Sequence, residues 1–307
     1  MADDRQLDAP TRPERGADRN RRALGTDDHA PDPVLPSLDD GVTLLDVDGR
    51  GVPVLQSLVL DHLLTHDGRA FWVDTAGCAR TTTLARVAPT WRLLERVQVA
   101  RGFTPYQHHA AVADVPDAVL DATSARGLDD DGDRTGSDAH DPALLVAPVV
   151  DGRYRDADDL PREHARQLLA RTLARLRRYA DAYDAPVLLT RTGGASDADA
   201  FGEIVANCAD HRLRCERTPQ GPRFVGDDVE TLVYPQPDGT LQTTLSYWRT
   251  VLARRASAAG VAVDGPTPTA TDAAALGGGE SLATPVEDGR AHGTAHERAL
   301  SPWRGRP

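Results

Sequence analysis

The stretch from Val42 to Leu64 constrains the fold of this 307-residue chain more than any other segment. It reads VTLLDVDGRGVPVLQSLVLDHLL, an apolar run followed by a glycine-bearing turn and an amphipathic segment. The apolar run predicts a buried strand at Val42–Val47, and the 3–4 spacing of the later apolar residues predicts a helix at Val54–Thr65. A strand that leads through a glycine turn into a helix is typical of α/β folds with a parallel sheet.

The turn has the length of a phosphate-binding loop, G-x-x-x-x-G-K-[ST], in which backbone N–H groups, a lysine and a hydroxyl hold phosphates and Mg²⁺. The positions that would bind nucleotide here are vestigial: Gly49, Arg50, Gly51, Val54 and Leu55. Val54 stands at the lysine position and Leu55 at the hydroxyl position, and the chain contains no lysine at all. Either the protein lies outside the phosphate-loop class, or it has lost that chemistry.

Composition describes an acidic chain whose basic side chains, histidine aside, are all arginine. The net charge is -12 and the pI is about 5.2. Such a surface is typical of a salt-adapted organism, because dense carboxylates stay hydrated and repel one another in concentrated salt. An acidic face that binds a basic partner is the alternative. The overall charge disfavours non-specific nucleic-acid binding but allows a local arginine patch.

The cysteines and the termini exclude several classes of protein. Cys78, Cys208 and Cys215 are too few and too scattered for a disulfide framework or a cysteine-based zinc site, so we expect no metal. The N-terminus shows no apolar leader, and no run reaches the roughly 18 apolar residues of a membrane span. We therefore expect a cytoplasmic protein with no membrane contact.

Composition also predicts the domain boundaries. Residues 1–36 are charged and proline-bearing, and residues 257–307 are rich in Ala, Gly, Thr and Pro, so both are predicted to be disordered tails. Residues 37–256 form the predicted core domain. The acidic segment 122–141 is predicted to be a disordered insertion within it.

Apolar patterns divide the core into alternating strands and helices. Beyond the first unit, strands are predicted at Ala70–Asp74, Arg96–Ala100, Ala143–Val150, Pro186–Thr190, Arg212–Arg217, Thr231–Tyr234 and Leu241–Tyr247. Helices are predicted at Thr81–Trp91, Pro105–Leu120, Pro161–Tyr183 and Asp197–Ala206. This order predicts an α/β fold with a mainly parallel central sheet, flanking helices and a C-terminal antiparallel extension.

Four stretches, in this order, resemble the ATPase core of the RecA/RadA recombinase family. They are the strand–turn–helix at 42–64, FWVDTAG at Phe71–Gly77, VQVARGFTPYQH at Val97–His108, and LLVAPVVDGRYR at Leu144–Arg155, followed by an Arg-rich helix and APVLLTRT at Ala185–Thr192. The resemblance covers roughly residues 40–250 and implies a RecA-like P-loop NTPase fold.

The departures from the family pattern fall on the catalytic positions. The family's catalytic Glu corresponds to Ala76, its Mg²⁺-binding Asp to Pro148, and its polar sensor pair to Arg191 and Thr192. With the lysine and hydroxyl also replaced, phosphate neutralisation, metal binding and water activation would all be lost. The resemblance thus implies an inactive paralogue, a pseudo-ATPase with no catalytic residue, cofactor or metal.

Arginines supply the candidate contacts to DNA or to an acidic partner. They are Arg166, Arg171, Arg175 and Arg178 on the helix after Pro161, together with Arg191. An ordinary solvated face is the usual explanation of such a charge run. The resemblance implies an accessory subunit in DNA recombination or repair that pairs with a RecA/RadA-family protein. Two alternatives stay open: a divergent ATPase that binds ATP–Mg²⁺ through Arg50 or Arg191, and a scaffold or regulator outside DNA repair.

Overall fold

The computed structural model describes residues 34–38, 40–47, 51–126, 142–193, 199–218, 221–226, 230–232, 244–264 and Trp303. All of them fall within the unit Pro33–Pro307. Nearly all of the predicted tail at 1–36, most of the tail at 257–307 and residues 127–141 of the predicted insertion lie outside the described residues.

The strands of the described chain form one eight-stranded sheet. They are β1 (Val42–Val47), β2 (Arg69–Asp74), β3 (Val97–Arg101), β4 (Pro142–Ala147), β5 (Val187–Leu189), β6 (His211–Thr218), β7 (Gly221–Gly226) and β8 (Glu230–Leu232). Their order across the sheet is β3-β2-β4-β5-β1-β6-β7-β8. Strands β1 to β6 pair in parallel, and β7 and β8 pair antiparallel. The predicted α/β class and antiparallel extension are confirmed.

Helices flank this sheet in two groups. They are α1 (Val52–Thr65), α2 (Thr81–Val87), α3 (Arg92–Glu95), α4 (Pro105–Ala113), α5 (Val115–Arg126), α6 (Gly152–Arg155), α7 (Arg162–Tyr183), α8 (Ala200–Cys208) and α9 (Thr244–Ala258). Helix α1 packs against α2, α3 and α9, whereas α7 packs against α4, α6 and α8. Right-handed crossovers place the two groups on opposite faces, since the chain moves one way from β1 to β3 and the other way from β3 to β6.

The strand predicted at Leu241–Tyr247 is wrong from Thr244 onward, and residues 241–243 lie outside the described residues. From Thr244 the chain is helical and runs as α9 to Ala258, past the core boundary predicted at residue 256. The buried α9 side chains recur at helical spacing and pack against α1: Tyr247, Trp248, Val251, Leu252 and Ala256. Arg255 anchors the helix, because its Nε and Nη2 donate to the Asp61 carboxylate of α1 at 2.6 and 2.9 Å.

Prolines account for two further differences from the predicted helices. The helix predicted at Thr81–Trp91 ends at Val87, two residues before Pro89, because the residue preceding a proline disfavours helical geometry. The single helix predicted at Pro105–Leu120 is two, α4 and α5, with Pro116 in the first turn of α5. Helix α5 runs to Arg126, so residues 122–126 of the predicted disordered insertion are helical.

Two histidines are buried within the helical layers and join elements together. The Nε2 of His62 on α1 hydrogen-bonds the carbonyl of Ala143 at 2.9 Å, and the Nδ1 of His108 on α4 hydrogen-bonds the hydroxyl of Tyr154 at 2.9 Å. Burial lowers the pKa of both imidazoles to about 4. Both side chains are therefore neutral in the folded protein at neutral pH.

This burial predicts a loss of stability in mild acid. The unfolded chain takes up protons at these histidines below about pH 6.5, whereas the folded chain does so only near pH 4. The free energy of unfolding should therefore fall as the pH drops from 6.5 to 4, by on the order of 3 kcal/mol for each histidine. Urea unfolding at fixed KCl and stepped pH measures this slope. His108→Gln should flatten it, exposed His164→Gln should not, and equal slopes would contradict the assignment.

Candidate functional site

The carboxyl ends of β2, β4, β5 and β1 meet at one edge of the sheet, which is where open α/β sheets bind their ligands. Polar side chains collect there. We define them as the carboxyl-edge network: Asp46, Asp74, Thr75, Arg101, Asp151, Arg153, Arg155, Arg191 and Asp199. Contacts within this network decide which ligand chemistry the edge can support.

Arg191 and Asp46 form the best-buried ion pair of the network. The guanidinium of Arg191 donates from Nε to Oδ1 of Asp46 at 2.9 Å and from Nη2 to Oδ2 at 2.8 Å. Its Nη1 also donates to the carbonyl of Gly202 in α8 at 3.3 Å. The Arg191 side chain is 1% exposed and that of Asp46 is 12% exposed. The pair therefore ties the ends of β5 and β1 to α8.

Burial changes the role predicted for Arg191. The sequence suggested a contact to DNA or a partner, or a substitute for the missing lysine. The structure instead places the guanidinium inside the protein and pairs it with a carboxylate in fork geometry. Arg191 is not at the surface, so it is not a surface contact.

A second series of ion pairs links the turn after β4 to α6 and α8. Asp151 is fully buried and accepts a hydrogen bond from the backbone N–H of Thr192 at 2.8 Å. Its other oxygen pairs with Nε of Arg155, whose Nη1 reaches Asp199 at 2.5 Å. Asp199 in turn caps α8 through the N–H of Phe201 at 2.8 Å. The hydrogen bond from Arg155 lowers the pKa of Asp199 to about 2, so the Asp199 carboxylate is charged at any physiological pH.

The two positions aligned with lost catalytic residues lie close together at this edge. Thr75, next to Ala76, donates its hydroxyl to the carbonyl of Pro148 at 3.1 Å. Asp74 accepts the N–H of Ala76 at 3.3 Å and that of Cys78 at 2.9 Å, which fixes the turn after β2. Its carboxylate is therefore directed into its own turn. Ala76 itself is exposed and carries no functional group.

Backbone strain marks the same edge. Val149, which follows Pro148, has a φ of 49°. A β-branched residue in this left-handed region is a real outlier that costs about 1–3 kcal/mol, and such strain clusters at functional sites. The N–H of Val149 donates to the hydroxyl of Thr190 at 2.8 Å, which holds the strained turn against the end of β5.

The vestigial phosphate turn is described only from Gly51 onward, and Gly49 and Arg50 lie outside the described residues. The carbonyl of Gly51 accepts the N–H of Leu55 at 2.9 Å and so starts α1. Val54 and Leu55 are 5% and 2% exposed. The two positions where a phosphate loop carries its lysine and its hydroxyl are therefore core positions of α1.

Helix α7 presents the other predicted arginines. Its inward stripe includes Leu169, Leu173 and Leu176, which are fully or almost fully buried. Arg171 and Arg178 are exposed, Arg175 is half-buried, and Arg166 pairs with Glu163 at 3.2 Å. Whether these arginines contact DNA or a partner stays a prediction.

Most members of the network were not predicted from the sequence, yet four of them carried a sequence signal: Asp46, Asp151, Arg155 and Asp199. Asp46 had a usable signal, because it is the one charged residue in the run VTLLDV and a buried charge needs a partner. Asp151 and Arg155 also had one, the i,i+4 spacing of an ion pair. Asp199 had the form of a helix N-cap.

The described residues contain no cluster of three or more His, Cys, Asp or Glu side chains that could hold a metal ion. Among the same residues, no helix has the length and apolar character that a membrane crossing requires. In the comparisons with known proteins, no family model matches this chain. No curated protein shows a significant match to it either.

Proposed function

We propose that this protein is a catalytically inactive relative of the RecA/RadA recombinases and serves as a binding or accessory subunit in DNA recombination or repair. One observation carries the proposal: the edge of the sheet that should hold a nucleotide is occupied by the protein's own ion pairs. Arg191 is committed to Asp46, and Arg155 to Asp151 and Asp199. These arginine donors are already bound, whereas Gly49 and Arg50 of the vestigial turn lie outside the described residues.

Charge supports the same conclusion. The carboxyl-edge network contains four arginines and four aspartates: Arg101, Arg153, Arg155 and Arg191, and Asp46, Asp74, Asp151 and Asp199. Its formal charges cancel. Phosphate sites instead present an excess of N–H donors, lysine or arginine, because several negative oxygens must be neutralised.

Strand order supports the RecA-like part of the proposal. The four segments that carry the resemblance contain β1, β2, β3 and β4–β5. The sheet brings the ends of β1, β2, β4 and β5 to one edge, with β5 directly between β4 and β1. A nucleotide site inherited from a RecA-like ancestor would require the ends of these strands to lie at the same edge. The recombination role rests on the family resemblance.

Nucleotide titration tests the loss of ATP chemistry. We expect no change in melting temperature on addition of millimolar ATP–Mg²⁺ in concentrated KCl. A ligand at 100 times its Kd would stabilise the fold by about 2.7 kcal/mol, which a thermal melt detects easily. An active RecA-type protein from a salt-adapted organism provides the positive control. A clear shift would refute the proposal and favour the divergent ATPase.

Partner capture tests the biological process. Full-length tagged protein, incubated with lysate of a salt-adapted archaeon, should retain recombination or replication proteins. A double variant, Arg171→Glu with Arg178→Glu, should weaken that capture if the exposed face of α7 contributes, and Glu163→Gln on the same helix serves as a matched control. Recovery of no such protein would count against the recombination role and favour a scaffold elsewhere.

A further inference from the structure

A tryptophan near the C-terminus contacts the core far from its neighbours in sequence. The indole Nε1 of Trp303 donates a hydrogen bond to the carbonyl of Ala111 in α4 at 3.0 Å. Its ring meets the ring of Phe71 of β2 edge-on, with centroids 5.6 Å apart and planes at 65°. Trp303 thereby joins the apolar cluster under α4 and α7 as a partly buried member.

The surface of β2 and α4 that receives the indole, here called the groove, has the features of an aromatic docking site. Its floor is apolar, since Phe71 is 2% exposed and Ala111 is fully buried with the indole in place. Its polar contact is specific, because the carbonyl of Ala111 lies in the last turn of α4, where helix carbonyls lack intrahelical partners. Tryptophan suits both features, with a large apolar ring and one N–H donor.

The chain between the core and Trp303 is long enough for the tryptophan to reach the groove of its own chain. Residues 265–302 connect the last described core residue, Asp264, to Trp303. A segment of about 38 residues spans at most about 130 Å when fully extended. The occupant that we infer is therefore the C-terminal segment of the same chain.

We propose that the groove between β2 and α4 is a peptide-docking site whose ligand is the C-terminal segment of this chain, bound in cis through Trp303. Because the Trp303 side chain is only partly buried, this contact opens at a lower free-energy cost than the core does. The tethered segment competes strongly with the same peptide added in solution, because a linked ligand acts at an effective concentration on the order of millimolar.

A peptide competition experiment tests the docking site on the full-length protein. The probe is a labelled synthetic peptide of residues 301–307, SPWRGRP, followed by fluorescence anisotropy. Trp303→Ala should bind it about tenfold or more tightly than the wild type, because the tethered competitor is lost. Trp91→Ala removes an exposed tryptophan of the described surface and should leave binding as weak as in the wild type.

Two controls keep the outcome decisive. The peptide SPARGRP, which has the same charge and lacks the indole, should bind neither protein. Equal binding of SPWRGRP to the wild type and to Trp303→Ala, or binding to neither, would overturn the proposal. In sedimentation velocity at rising concentration, the wild type and Trp303→Ala should show the same association state; dimers formed by the wild type alone would place the segment on a second copy and overturn docking in cis.

Discussion

Asp46→Ala should lower the free energy of unfolding by about 3–5 kcal/mol, the usual result when one partner of a buried ion pair is removed. The Arg191 side chain is 1% exposed and uses two nitrogens on this carboxylate. Without the carboxylate, a guanidinium charge stays inside the protein with much of its pairing lost. Urea unfolding at constant KCl measures the difference.

A surface pair provides the matched control. Arg166 and Glu163 on α7 are 40% and 64% exposed at the side chain. Solvent and salt screen such a pair, so Glu163→Ala should cost no more than about 1 kcal/mol. If Asp46→Ala also costs no more than about 1 kcal/mol, Arg191 reaches water in that variant. The burial that we assign to the pair of Arg191 and Asp46 would then be wrong.

A double replacement distinguishes the cost of burying the Arg191 charge without the Asp46 carboxylate from the cost of lost packing. Asp46→Leu combined with Arg191→Met removes both charges and keeps apolar volume in the site. Buried pairs replaced in this way are often neutral or stabilised, so the double variant should recover most of the loss. If it is as unstable as Asp46→Ala, the network stabilises the fold through its geometry, for example through the bond from Arg191 to Gly202.

The elements that the sequence predicted best are those with a long, regular apolar pattern. Strand β1 has the predicted bounds, Val42–Val47, and α7 begins one residue after the predicted start and ends at Tyr183 as predicted. Helix α9 was missed because its 3–4 spacing becomes visible only across Tyr247 to Ala256. The predicted core ended at residue 256, and the shorter window to Tyr247 resembles the alternation of a strand.

The candidate site could be predicted only in part, for a topological reason. The sequence indicated the edge where the network lies, because the apolar strands predicted at Ala70–Asp74, Ala143–Val150 and Pro186–Thr190 lead to it. The pair between Arg191 and Asp46 joins residues 145 positions apart, and no local pattern encodes such a contact. It depends on β1 lying beside β5, which emerges only when the strands are ordered in the sheet.

Gly102→Ala is the second change with a large expected effect. It tests whether the close approach of the α4 backbone to the end of β3 is fixed. A Cβ on Gly102 would lie 2.6 Å from both the N and the Cα of His108. Those are backbone atoms of α4, which cannot rotate away as a flexible side chain can. We expect a loss of about 3 kcal/mol in the free energy of unfolding, near the upper range for overpacking.

Gly193→Ala is the matched control, because it separates steric clash from backbone strain. Gly193 has a φ of +83°, yet among the described residues a Cβ there would have no neighbour within 4 Å. Alanine at that position should cost only about 1–2 kcal/mol, the penalty for a left-handed backbone. If Gly102→Ala is the milder of the two variants, α4 can shift away from β3. The hydrogen bond between His108 and Tyr154 would then be adjustable, and the acid sensitivity assigned to His108 should weaken in that variant.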